Sequence, residues 1–477
     1  MNPLVKLTAR QAVELLKKRE VTPLELIDAA LQRIEETDGT LNALPTLCAE
    51  RARSHAEKLM SKTAVGPPRR YLYGLPLAVK DLNDVAGVRS TKGSPIFANH
   101  IPEQSDYLVE TIEGKGGIVL AKSNTPEFGA GGNTFNEVFG KSHNPWNTAM
   151  TCGGSSGGSA VALATGQVWL ATGSDLSGSL RLPASFCSVV GLRPSPGRVA
   201  HGPKPLPFGT LWVEGAMGRT VGDVALFLDT QAGRHPGDPI SFPAPELSYV
   251  SAVDNAMPPR RVAFTPDLGI ARVDREVKEV CEKAARQFES MGATVEEDTI
   301  DLHDAEETYQ TLRSAQFVAS YLPLLETHRD QLKPEVIGSI EKGLQLTAGE
   351  IARAELARGA VFHRTAEFFR RYDLLLCPTA AVPPFDVNAR YVTEINGVRL
   401  DNYISWALIT FALTLTACPA ISVPCGFTRS GLPVGLQIVG PWAREEAVLS
   451  AAALFEQVSG LAAELPIDPR GQPADQG

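Results

Sequence analysis

Along the first sixty residues, apolar positions recur every three or four places. Leu24, Ile27, Leu31 and Ile34 fall on one helical face. Two N-terminal helices are predicted. Thr8 caps the first, with Gln11 closing a capping box. Thr22 caps the second, with Pro23 at the first helical position and Glu25 three residues after the cap. A polar loop is expected from Ser61 to Arg70. The pattern then changes to short apolar runs alternating with helical periods. Leu75–Val79 and Ile118–Ala121 read as buried strands, Asp106–Lys115 and Ser159–Thr165 as helices. The alternation resumes later, with strands at Arg261–Phe264 and Ala293–Glu296 around an amphipathic helix, Val273–Met291. Residues 305–371 are mostly helical. Tyr372–Cys377 reads as a strand, and Pro419–Pro424 pairs with Val434–Val439 across the turn Arg429-Ser430-Gly431.

Short buried strands separated by helices predict an α/β fold. The expected architecture is one large domain over 1–477, with a mixed, mostly parallel twisted central sheet covered by helices on both faces. Its sections are N-terminal helices (1–60), a core holding two glycine–serine clusters (70–200), long loops (200–260) and an α/β completion (261–477). The loops are expected because nine prolines, from Pro203 to Pro259, punctuate residues 200–260.

Composition narrows the function classes. The chain is 43% hydrophobic and 21% charged, with a net charge of −9, which argues against nucleic-acid or membrane partners. Its longest apolar stretch, Trp406–Ala417, is too short to span a bilayer, and the first residues lack a basic-then-apolar leader pattern. A cytoplasmic protein, monomeric or homodimeric, is expected. The seven cysteines show no C-x-x-C spacing and read as free thiols, and the scattered histidines suggest no metal site. No cofactor is implied.

The candidate chemistry lies in two clusters, Gly153-Gly154-Ser155-Ser156-Gly157-Gly158-Ser159 and Gly173-Ser174-Asp175-Leu176-Ser177-Gly178-Ser179. Dense glycine lets several backbone N–H groups converge on one point. Serine supplies a nucleophile once a base removes its proton. Ser179 is the candidate nucleophile, with N–H groups of the preceding turn as oxyanion donors; the alternative is a glycine–serine surface turn. Lys80 ends the apolar run at 75–79. Burial would lower its pKa and make it a base, with Ser155 relaying the proton. A salt bridge from Lys80 to Asp81 or Asp84 is the competing reading. Gly153–Gly157 matches G-x-S-x-G, but Asn144–Cys152 is not the apolar strand that such a nucleophile elbow requires. Asp175 and Arg181 read as a structural pair. Ser156 and Ser159 read as hydrogen-bonding partners or helix starters.

These clusters, with Gly74-Leu-Pro-Leu-Ala-Val-Lys80-Asp81 before them and Gly191-Leu-Arg-Pro194 after, resemble the amidase signature family. So do Asn136–Gly140, Asn144-Pro-Trp146, Tyr372–Thr379, Pro419–Pro424 and Gly431–Gln437, so the resemblance spans nearly the whole chain. It implies a Ser–cisSer–Lys triad of Ser179, Ser155 and Lys80. It implies oxyanion donors from Leu176, Ser177, Gly178 and Ser179. Gly129, Gly131, Gly132 and Asn133 would line the acyl side of the substrate pocket. The family usually carries glycine where this chain has Ser177. The activity implied is hydrolysis of small amides, apolar or aryl, with carbamates (urethanes) and esters open to the same triad. Phe135, Phe208, Leu211, Trp212, Phe317, Tyr321 and Trp406 are candidate pocket residues, and each can equally be core. The rival readings are the amidase component of a glutamine-dependent tRNA amidotransferase and a non-enzymatic binding protein.

Overall fold

Pro76–Lys80 is buried at every position and runs parallel to Ile118–Ser123, also buried throughout. This pair belongs to an eleven-stranded sheet. The computed structural model describes residues 1–61 and 70–471, so most of the loop expected between Ser61 and Arg70 lies outside the described residues. In chain order the sheet strands are β1 (Thr46–Leu47), β2 (Pro76–Lys80), β3 (Ile118–Ser123), β4 (Leu170–Asp175), β5 (Val190–Arg193) and β6 (Val213–Gly218). There follow β7 (Arg261–Phe264), β8 (Thr294–Glu297), β9 (Leu374–Pro378), β10 (Ala420–Phe427) and β11 (Pro433–Val439). Their spatial order is β1-β3-β2-β4-β6-β5-β10-β11-β9-β7-β8.

The helices used below are α1 (Ala9–Lys18), α2 (Pro23–Leu41), α3 (Gly157–Ala164), α4 (Arg181–Cys187), α5 (Val221–Gln231), α6 (Arg275–Ser290), α7 (Ala305–His328), α8 (Pro334–Leu344) and α9 (Leu408–Thr414). Helices flank the sheet, with α3 against β2, β3 and β4, α4 and α6 against β10 and β11, and α5 against β6. Both N-terminal capping boxes form as expected, at Thr8/Gln11 and Thr22/Glu25. Among the described residues no helix is long and apolar enough to cross a membrane. All seven cysteines are free and buried.

Two expectations change. The sheet is mixed, but antiparallel pairs outnumber parallel ones. Only β2–β3, β2–β4, β7–β8 and β7–β9 are parallel. Strands buried on both faces read as the same apolar run in either direction, so the pattern could not fix their sense. The 200–260 section is also not loop throughout. It contributes β6, fully buried mid-sheet, and α5, almost fully buried. The prolines cluster on either side, and Val213–Gln231 contains none. Its glycines and Glu214 gave β6 too weak a strand signature to stand out.

One apolar core runs through most of the chain. A second, smaller cluster joins Phe128 and Ala130 to Phe317, Val336 and Ile340 of α7 and α8. It fixes the glycine loop after β3 against those two helices and so forms one wall of the site.

Candidate active site

Lys80 is the last residue of β2, and its backbone N–H donates to Thr172 Oγ1 of the parallel neighbour β4 at 2.9 Å. That register brings the ends of β2 and β4 together. The Lys80 side chain is fully buried, and its Nζ donates to Ser155 Oγ at 2.7 Å, Ser156 Oγ at 2.9 Å and Ser174 Oγ at 3.0 Å. No carboxylate of the described residues pairs with it. Asp81 turns away to Lys122 (2.7 Å) and Thr91, and Asp84 pairs with Lys92 at 3.5 Å. The salt-bridge reading of Lys80 is therefore set aside.

Burial drives the Lys80 pKa down to about 7, against the nearby negative charges of Glu214 and Asp175, which raise it. Glu214 lies on β6 opposite Ser174. Burial pushes its carboxyl up to about 7, the positive charge of Lys80 opposing. Lys80 can thus carry a lone pair at ordinary working pH. In that state one of the three serine hydroxyls must donate to it.

Ser155 and Ser156 sit where α3 begins, and the peptide bond Gly154–Ser155 is cis. Ser156 N–H donates to the Ser179 carbonyl at 3.2 Å, which ties the two clusters together. Ser155 and Ser179 line one pocket, but no hydrogen bond joins their hydroxyls. Ser159 bonds instead to Ser123 Oγ and the Thr172 carbonyl. The strand before the first cluster, Asn147–Thr151, is polar and half-buried, pairs with His143–Asn144 and bridges Asp386 from Met150, outside the main sheet. It is not the strand that an elbow needs. Cys152, between them, is an inert thiol: burial pushes its pKa up to about 12.

Asp175 organises the turn that follows β4. It accepts from Gly178 N–H at 2.9 Å and Leu180 N–H at 3.2 Å, and pairs with Arg181 (2.9 Å) and Arg193 (3.3 Å). Burial alone would raise its pKa, but the two guanidiniums overcome this and hold it well below the usual carboxylate range. The structural reading of Asp175 and Arg181 stands. The expected donor set does not stand whole. Gly178 N–H is directed at Asp175, whereas the N–H groups of Leu176, Ser177 and Ser179 have no protein acceptor among the described residues. Gly178 is needed for its backbone: φ is +112°, and a Cβ would lie 2.5 Å from Thr410 Oγ1. Thr410 in turn donates to the Ser177 carbonyl at 2.7 Å. The Ser177 hydroxyl bonds to Tyr309 OH of α7, which also donates to the Leu176 carbonyl at 3.1 Å.

Gly129, Gly131 and Gly132 line the pocket as expected. A Cβ at Gly129 would lie 3.1 Å from Ser155 Oγ, so the glycine keeps that hydroxyl clear. Asn133 is a correction. Its side chain is buried behind the loop, donating to the Val387 and Ala389 carbonyls and accepting from Thr151. Trp212, Phe317, Tyr321 and Trp406 line the pocket. Phe135 and Leu211 do not, and Phe208 is exposed to solvent. Ser174, Leu82, Phe128, Arg313 and Ile404 are pocket or site residues that sequence reasoning missed. They come from five separate segments, and only Ser174, inside the second cluster, carried a local signal.

The family model Amidase matches residues 25–449. An acylamidase of Rhodococcus erythropolis is 35% identical over 468 residues, 97% of each chain. A glutamyl-tRNA(Gln) amidotransferase subunit of Synechococcus sp. (strain CC9605) is 32% identical over 477 residues, 94% of this chain and 96% of that one. Among solved structures, a bacterial aryl acylamidase of the amidase signature enzymes matches with a TM-score of 0.89 at 30% identity, over 98% of this chain and 100% of that one. The chain belongs to the amidase signature family. It is a hydrolase of carbon–nitrogen bonds.

Proposed function

We propose that Ser179 is the nucleophile of an amidase acting on small, largely apolar or aryl amides, with Ser155 and Lys80 as its proton relay. The observation that carries this is Lys80: fully buried, without a carboxylate partner among the described residues, and 2.7 Å from Ser155 Oγ. Neutral Lys80 accepts a proton from Ser155, and Ser155 accepts one from Ser179 as Ser179 Oγ turns toward it. The alkoxide attacks the amide carbon, and the Leu176, Ser177 and Ser179 N–H groups hold the oxyanion. The lysine ammonium returns the proton through Ser155 to the departing amine. Water then hydrolyses the acyl-enzyme by the same relay. Carbamates and activated esters fit the same steps.

The apolar lining, with Leu176, Phe317, Ile404 and Trp406, supports an apolar or aryl substrate. The acylamidase and aryl acylamidase relatives point the same way. The relatives that are glutamyl-tRNA(Gln) amidotransferase subunits favour a second reading, in which the chain releases ammonia from glutamine within a larger assembly. A panel of anilides, aliphatic amides, glutamine, carbamates and nitrophenyl esters separates the two. The self-standing amidase hydrolyses anilides unaided, and Ser179→Ala abolishes turnover. Activity on glutamine alone would overturn the substrate assignment, and full turnover by Ser179→Ala would overturn the nucleophile.

A further inference from the structure

The pocket is lined by apolar and neutral polar side chains, and among the described residues one charged side chain stands in its wall. Arg313, on α7, lines the cavity that holds Ser155 and Ser179 and is 5% exposed. Its guanidinium donates to Ser339 Oγ of α8 at 3.0 Å and to Tyr403 OH, and lies over the Phe317 ring, 4.1 Å from its centroid. All three partners are neutral. No carboxylate of the described residues comes within salt-bridge distance. Of the two acids on α8, Glu335 is committed to Arg390 at 2.8 and 2.6 Å and Glu341 to Arg329.

The other buried arginines are provided for. Arg33, Arg181, Arg193 and Arg198 each pair with a carboxylate, and Arg219 is held by the Val5 and Leu7 carbonyls. A charge taken out of water is costly unless it is paired. A guanidinium presents a planar fork that matches a carboxylate. A buried, charged and acid-free fork in a substrate cavity is therefore a counter-charge in waiting.

We propose that Arg313 forms an anion subsite, and that the preferred substrates are amides carrying a carboxylate separated from the scissile bond by an apolar or aromatic spacer. The spacer lies against Phe317 and Trp406, and the carboxylate meets the guanidinium. This substrate class rests on the amidase reading of Ser179; the anion subsite itself does not.

Two measurements test it. In the first, kcat/KM is compared for 4-acetamidobenzoate against acetanilide, and for N-phenylsuccinamate against butyranilide. One carboxylate-bearing member should exceed its neutral counterpart at least ~10-fold, the size of one charge-assisted contact. Arg313→Gln should collapse that ratio to about 1, with Arg313→Lys recovering part of it. A purely structural role, holding Ser339 and Tyr403, would lower both members together and leave the ratio unchanged. In the second, calorimetric titration needs no turnover. The enzyme should bind 4-aminobenzoate at least ~10-fold more tightly than aniline, and Arg313→Gln should lose the difference. Equal binding of the two in the wild type, or a ratio untouched by Arg313→Gln, overturns the subsite. Selective binding of 4-aminobenzoate without hydrolysis of any anilide would instead overturn the aryl-amide assignment of the proposed function and leave the subsite standing.

Discussion

Lys80 joins two opposing effects at one atom. An ordinary lysine with pKa 10.5 would be only roughly 0.03% neutral at pH 7. Desolvation brings the value to about 7 and makes the amine available as a base, while the carboxylate of Glu214 pulls it back up. The sign of the pH dependence follows. In the proposed relay the neutral amine is the working form, so kcat/KM for an anilide should rise with pH through a limb near 7. Because Lys80 and Glu214 interact, that limb belongs to the pair. Removing the negative charge in Glu214→Gln removes a term that stabilises the ammonium, so the limb should move to lower pH. A pH–rate profile checks this. A limb that stays in place, or moves to higher pH, would show that Glu214 does not act on the base.

The turn from Leu176 to Ser179 depends on a single strand end and two distant helices. Asp175 fixes its start by taking Gly178 N–H, and Thr410 and Tyr309 hold the Ser177 and Leu176 carbonyls. Ser177, the departure from the family's usual glycine, anchors its hydroxyl on Tyr309 as well. Tyr309→Phe removes both contacts of that phenol while keeping its stacking on Phe411, 4.5 Å between centroids. Amide kcat should fall about tenfold with KM changed less than about threefold, since the oxyanion donors proposed for this loop act on charge formed in the transition state. Steady-state kinetics on one anilide decides it, and an unchanged kcat would show that the loop holds its shape without this brace. Much of this scale was legible beforehand. The apolar run ending at Lys80, the capping boxes and the β10–β11 hairpin follow from periodicity and turn chemistry. β6 was not, because Glu214 and its glycines interrupt the apolar pattern of a buried strand. Nor was the capture of Gly178 N–H, which depends on how one carboxylate rotates.

Across the whole molecule, the site is legible wherever it is local and hidden wherever it is assembled. Ser155 and Ser179 stand in glycine-rich clusters that announce themselves. Ser174 becomes a partner of Lys80 only because β2 and β4 lie side by side, and no pattern in either segment encodes that adjacency. Arg313 and Ile404 come to the pocket from α7 and the segment before α9, each carried by an amphipathic or apolar pattern that reads as ordinary core. Asn133 shows the reverse error: it sits among pocket glycines, yet its amide is spent on the Val387 and Ala389 carbonyls. The sheet brings a buried amine, its serine partners and a free set of amide donors to one cavity, and the proposed chemistry needs all of them together.

Whether Lys80 works as a base through Ser155 is decided by Lys80→Ala assayed on acetanilide and on p-nitrophenyl acetate, with folding checked by circular dichroism. Acetanilide turnover should fall by ~10³-fold or more, the usual contribution of a positioned acid–base group. The ester should lose much less, because nitrophenolate leaves without a proton. A folded Lys80→Ala enzyme that hydrolyses acetanilide within a few-fold of the wild-type rate would contradict the relay.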